Sequence, residues 1–135
     1  MDLPTFSSPL YHEGLLYVLN VLGVLHVVDA ETMKPCYSKQ LDVRPWFDYD
    51  SHGVNASLTL AGKYIYALGD QGEGFVIEPG REFKLVAKNK IESLLRRKFA
   101  IQPQESLTRS TPVFAGKFMY VRGEEYLYCI GEKKP

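Results

Sequence analysis

A ten-residue stretch recurs three times in this chain without a gap. Ser8–Tyr17 reads SPLYHEGLLY, Ser57–Tyr66 reads SLTLAGKYIY and Thr111–Tyr120 reads TPVFAGKFMY. Each copy then runs on into a second apolar segment, at Val24–Asp29, Phe75–Glu78 and Tyr126–Ile130. The closing tyrosines stand at 17, 66 and 120, steps of 49 and 54 residues. A self-similar unit of that length points to stacked or radially arranged repeats rather than to one undivided core.

Within each copy a short β-prone run turns tightly and returns. Ala61-Gly62-Lys63 and Ala115-Gly116-Lys117 have the glycine that a hairpin needs for a positive φ, and in His12-Glu13-Gly14 that glycine is one place later. The returning strands, Leu15–Leu19, Tyr64–Leu68 and Phe118–Val121, are apolar at consecutive positions instead of alternating with polar residues. Such a strand has both faces covered. Short antiparallel hairpins covered on both faces imply sheets sandwiched between copies of themselves, as in the blades of a β-propeller.

A third strand is predicted at Val24–Ala30, Gly74–Glu78 and Tyr126–Ile130, and a fourth, outer one at Pro35–Leu41 and Phe83–Ala87. The expected fold is therefore all-β: a single partial propeller over residues 1–135, with two four-stranded blades and a three-stranded third. The repeats span about 7–41, 55–88 and 109–131, and the insertions about 42–54 and 89–105. Asn89 with Glu92 resembles a helix-capping pair. Ile91, Leu94 and Leu95 form a narrow apolar stripe behind it, so one short helix is expected in the second insertion.

Sixteen basic and sixteen acidic residues cancel, which gives the chain no bulk attraction to nucleic acid or to an anionic surface. No apolar run reaches the ~20 residues that span a bilayer, and no signal peptide is visible at the start. Cys36 and Cys129 occupy non-equivalent places in their repeats and lack metal or redox spacing, so both are expected to be buried free thiols.

No group of side chains converges on a catalytic, cofactor or metal site. Asp48–Gly53 has alternating oxygen donors, but His52 and Thr59 stand where a calcium loop wants a carboxamide or carboxylate and a bidentate Glu, so it reads as a polar turn. Gly69–Gly74 is glycine-rich without a helix to receive a phosphate and reads as a hairpin turn. His26 reads as a structural imidazole within a strand, and Ser7, Ser8, Ser110 and Thr111 as groups that bond backbone at strand starts. Trp46 and Phe47 in the first insertion are the candidate contact residues, because aromatic side chains are enriched at interfaces. Arg96 and Arg97 are candidates for an anionic partner.

The three-copy pattern resembles the PQQ-like β-propeller repeat of quinoprotein dehydrogenases, of the outer-membrane assembly propeller lipoprotein and of many bacterial surface and periplasmic proteins. Asp29–Tyr37 is similar to the tryptophan-docking segment of that family. Asp29, Ala30, Thr32 and Lys34 match, while Met33 replaces the turn glycine and Tyr37 the docking tryptophan. The ending Leu127–Gly131 looks like that of a last blade. The resemblance implies a propeller, a periplasmic or extracellular setting and, in its enzymatic members, bound PQQ and calcium. The adjacent cysteines and carboxylate–asparagine site typical of those enzymes have no counterpart here. The favoured reading is a non-catalytic scaffold with no cofactor, formed by the C-terminal part of a larger propeller; the alternative is a fragment of a quinoprotein dehydrogenase. A propeller closes with ~4–8 blades. An open run of three leaves a face bare at each end, and wetting ~500 Å² of apolar surface forfeits up to about 12 kcal/mol. A protein partner or a second copy is therefore expected to cover those faces.

Overall fold

The computed structural model describes residues 6–43, 53–91, 110–123 and 126–132. These residues form eleven strands and no helix. The first sheet contains β1 (Leu10–His12), β2 (Leu15–Leu19), β3 (Val24–Asp29) and β4 (Pro35–Gln40). The second contains β5 (Thr59–Ala61), β6 (Tyr64–Leu68), β7 (Glu73–Ile77) and β8 (Leu85–Lys90), and the third β9 (Val113–Ala115), β10 (Phe118–Arg122) and β11 (Leu127–Gly131). All pairings are antiparallel between chain neighbours, giving three open meanders of four, four and three strands.

The repeat holds in the register. Tyr17 pairs with Val27, Tyr66 with Val76 and Tyr120 with Cys129. The outer pairings of the first two sheets slip at matching points, Val27/Val28 and Val76/Ile77. Both outer strands also end on the same bond, Leu41 N–H to Gly23 O and Ile91 N–H to Gly72 O, each 2.9 Å.

Turn chemistry explains why the hairpin glycine moves. In the first hairpin Glu13 and Gly14 both have positive φ, 46° and 77°, as a type I′ turn requires at its two central residues. In the other two only Gly62 (59°) and Gly116 (57°), at the first central place, are positive, which matches type II′. The glycine sits where its own turn type needs it.

Alternate residues of the strands divide into two faces. Leu15, Tyr17, Leu19, Leu25 and Val27 of the first sheet pack against Ile65, Ala67, Phe75 and Ile77 of the second in one buried cluster. Leu68, on the opposite face of β6, joins Val121, Met119 and Ile130 of the third sheet in another. Among the described residues the second sheet is thus covered on both faces, and the first and third on one face each.

Three expectations need correction or lie outside the described residues. Asn89 does not cap a helix, because β8 continues through Lys90, paired with Glu73, and Asn89 itself pairs with Gly74. The rest of the expected helix, beyond Ile91, lies outside the described residues. Cys129 is exposed rather than buried, and Cys36 is half-buried. Cys129 has the repeat position of fully buried Val27, but among the described residues no sheet lies against its side of β11.

The turn after β3 is tied to one carboxylate. Asp29 Oδ1 accepts from Glu31 N–H (3.1 Å), Thr32 N–H (2.9 Å) and Thr32 Oγ1 (3.0 Å), while Asp29 N–H donates to Lys34 O (2.9 Å). Met33 sits in this turn at φ 57°, a conformation that costs a side-chain-bearing residue ~1–2 kcal/mol. Met33 is also 63% exposed, so its side chain has little packing to lose. Met33→Gly is expected to raise the unfolding free energy by about 1 kcal/mol, read as a higher urea midpoint at unchanged slope.

Candidate interaction surfaces

The junctions between sheets repeat as the strands do. At the start of each unit a backbone N–H meets the hydroxyl of the next: Ser8 N–H donates to Ser57 Oγ (2.8 Å), and Ser57 N–H to Thr111 Oγ1 (3.0 Å). Deeper in, Tyr17 of the first sheet belongs to the cluster on which Leu60 of the second packs. The tyrosine at the same place in the next unit, Tyr66, meets Phe114 of the third sheet with ring centroids 4.5 Å apart. Of the residues expected to bond backbone at strand starts, Ser7 does so through Leu19 O (2.5 Å) and Thr111 through Ser57 N–H, while Ser8 takes part by its own N–H. His26 Nδ1 meets Ser38 Oγ at 2.8 Å within its own sheet.

Residues of the turn after β3 and of β4 join the first sheet to the second. Gly80 N–H donates to the Tyr17 hydroxyl at 2.9 Å. Asp29 Oδ2 pairs with Arg81, which also approaches Cys36 Sγ at 3.6 Å. The Arg81 guanidinium, followed by the Thr32 donors, holds the Asp29 carboxyl well below the usual carboxylate range. Tyr37 sets its ring edge-on to Phe83 with centroids 6.1 Å apart, and Lys39 lies over Phe83 at 5.4 Å. Sequence reasoning missed a second tie, in which the buried Asp70 accepts from Asn55 N–H (2.9 Å) and from the Asn55 carboxamide. An acid within a turn between apolar strands gave no sign of that partner, which lies 15 residues away.

Burial pushes the Tyr37 phenol up to about 12 from its ordinary 10.0, with the charges of Tyr17 and Cys36 adding to the effect. Its oxygen is buried without a hydrogen-bond partner among the described residues. The unfolded chain ionises here from about pH 10 and the folded chain only near 12, so this contribution to stability is whole below pH 10 and is lost as pH rises to 12. Tyr37→Phe is expected to reduce the alkaline loss and to leave stability at ~pH 8 unchanged or up to ~1 kcal/mol higher, as urea titrations at ~pH 8 and ~pH 11 would show.

Among the described residues, each end of the stack presents an uncovered face. On the third sheet it carries Val113, Phe118, Tyr120, Leu127 and Cys129, with Leu127 70% and Val113 62% exposed. The equivalent of Leu127 in the first sheet, Leu25, is 0% exposed. On the first sheet the free face carries Leu16, Val18, Val24 and Val28 beside Tyr11, which is 64% exposed. A cleft of 560 Å³ opens between the second and third sheets, lined by Val76, Gly74, Asn89, Ile91, Met119 and Ile130 among others. It follows from the third sheet's having no described fourth strand and from Ala87 opposite Val76, where the first sheet has Tyr37 opposite Val27.

Trp46, Phe47, Arg96 and Arg97 lie outside the described residues, as does all of the Asp48–Gly53 turn except Gly53. Asp29, Thr32 and Lys34 meet in the turn after β3, and Asp29 and Tyr37 reach the second sheet's segment through Arg81 and Phe83. Among the described residues no three His, Cys, Asp or Glu side chains are grouped to hold a metal ion, and no helix is long and apolar enough to cross a membrane. Comparison of the chain with models of known protein families and with curated proteins finds no match for either.

Proposed function

We propose that this chain is a segment of a PQQ-like β-propeller that serves as a non-catalytic structural and interaction scaffold, working with its end faces covered as part of a larger ring. One observation carries the reading: successive sheets meet through the same residue positions, and the two end sheets keep the corresponding faces free. The N–H groups of Ser8 and Ser57 donate to the Ser57 and Thr111 hydroxyls of the following sheet, and Tyr17 and Tyr66 share a second role. A face built to receive a sheet and left uncovered is a binding surface. The side chains around it supply hydrophobic area and backbone-directed hydroxyls, which suit adhesion rather than proton transfer.

Two measurements test this. Light scattering of the purified chain is expected to show a mass above the 15.3 kDa of one copy, falling as the solution is diluted. A well-folded species of that mass at all concentrations would overturn the scaffold reading. Titration with PQQ and calcium is expected to give no saturable binding; tight binding or dye-linked oxidation would move the assignment to the quinoprotein dehydrogenases.

A further inference from the structure

We infer that the free faces at the two ends of the stack bind each other, and that two copies of the chain join head to tail into one closed ring. The inference rests on the propeller-segment reading and adds the partner and the register. The third sheet's free face, with Tyr120, is the repeat equivalent of the faces through which Tyr17 and Tyr66 meet the following sheet. The first sheet's free face, with Tyr11, is the equivalent of the receiving faces that carry Leu60 and Phe114. Each end therefore matches the other and not itself, so the contact is heterologous.

The register follows from the two junctions already present. Tyr120 stacks on Tyr11 of the next copy, as Tyr66 does on Phe114. Thr111 N–H donates to the Ser8 hydroxyl of that copy, continuing the bonds from Ser8 to Ser57 and from Ser57 to Thr111. Leu127 becomes as buried as Leu25. The copy number follows from blade counting. One copy has three sheets, two give six and three give nine, and only six lies within the ~4–8 of closed propellers. Heterologous contacts that fail to close grow into filaments, so a discrete dimer is the signature of closure.

The test uses two variants, Leu127→Glu and Tyr11→Glu, each at a side chain exposed in the single copy so that its fold is kept. The wild type is expected at twice 15.3 kDa and each variant alone at 15.3 kDa, because every junction in a single-variant sample contains one damaged face. An equal mixture is expected to form dimers, since the Tyr11→Glu copy has an intact third-sheet face and the Leu127→Glu copy an intact first-sheet face. Mass-resolved alkylation makes the orientation explicit. In the mixture Cys129 is expected to be protected in the Tyr11→Glu copy and to react in the Leu127→Glu copy. Dimers of either variant alone, a mixture with both Cys129 thiols equally reactive, or a wild type that grows into filaments would overturn the head-to-tail ring while leaving the scaffold reading standing. A wild type that is monomeric at all concentrations would overturn both.

Discussion

Tyr17→Ala lowers the unfolding free energy of the dissociated chain by about 3–5 kcal/mol, whereas Tyr120→Ala, at the same repeat position, costs less than ~1 kcal/mol. Both tyrosines close the ten-residue stretch, and each pairs with a β-prone residue of the next strand. Their surroundings differ. Tyr17 is 0% exposed within a cluster that includes Val27, Ile65 and Ile77, and its hydroxyl accepts from Gly80 N–H. Truncating it opens a ring-sized cavity and strands that N–H as well. Tyr120 lies half-buried on the free face of the third sheet, next to Phe118 with ring centroids 6.5 Å apart, so little is lost when it goes. Tyr17→Phe separates the two contributions at Tyr17 and is expected to cost about 1 kcal/mol, the worth of one hydrogen bond. Denaturant unfolding at chain concentrations below association measures all three. Equal losses for Tyr17→Ala and Tyr120→Ala would mean that the third sheet's face is covered within one copy.

That contrast marks where sequence stops being informative. Hydrophobic period, turn glycines and the repeat itself place the first three strands of each unit, because these are local and each copy corroborates the others. The second outer strand runs over Leu85–Lys90 instead of Phe83–Ala87. Whether a face is covered depends on the next sheet, so Leu25 and Leu127 read alike in sequence and lie at opposite extremes of exposure. The exposure of Cys129 has the same cause. The Asn89 error was local: Asn-Lys-Ile-Glu has the chemistry of a helix start, but the ladder with β7 reaches Lys90 and satisfies that backbone as strand. Of the two junction hydroxyls, that of Thr111 is legible in the sequence as a backbone-bonding group and that of Ser57 is not. Nor is their acting between sheets, since it needs contacts 49 and 54 residues apart.

Gly23→Ala is expected to destabilise the chain by about 2–4 kcal/mol, although it adds a single methyl group and Gly14→Ala, by comparison, costs only ~1–2 kcal/mol. Both glycines have positive φ, 80° at Gly23 and 77° at Gly14, so the backbone penalty is common to both. A Cβ on Gly14 meets nothing within 4 Å, while one on Gly23 falls 2.4 Å from Val43 Cγ2 and 3.3 Å from Cγ1. Val43 is buried in the cluster between the first two sheets, and its branched side chain has few rotamers to retreat into. Gly23 also donates to Asn20 O and accepts from Leu41 N–H, which holds the turn against the end of the outer strand and prevents a backbone shift. The steric part is therefore separable by a double-mutant cycle with Val43→Ala, which removes both γ-carbons. The cycle is expected to return a favourable coupling of about 1–2 kcal/mol, and additive losses would show that the cost at Gly23 is conformational alone.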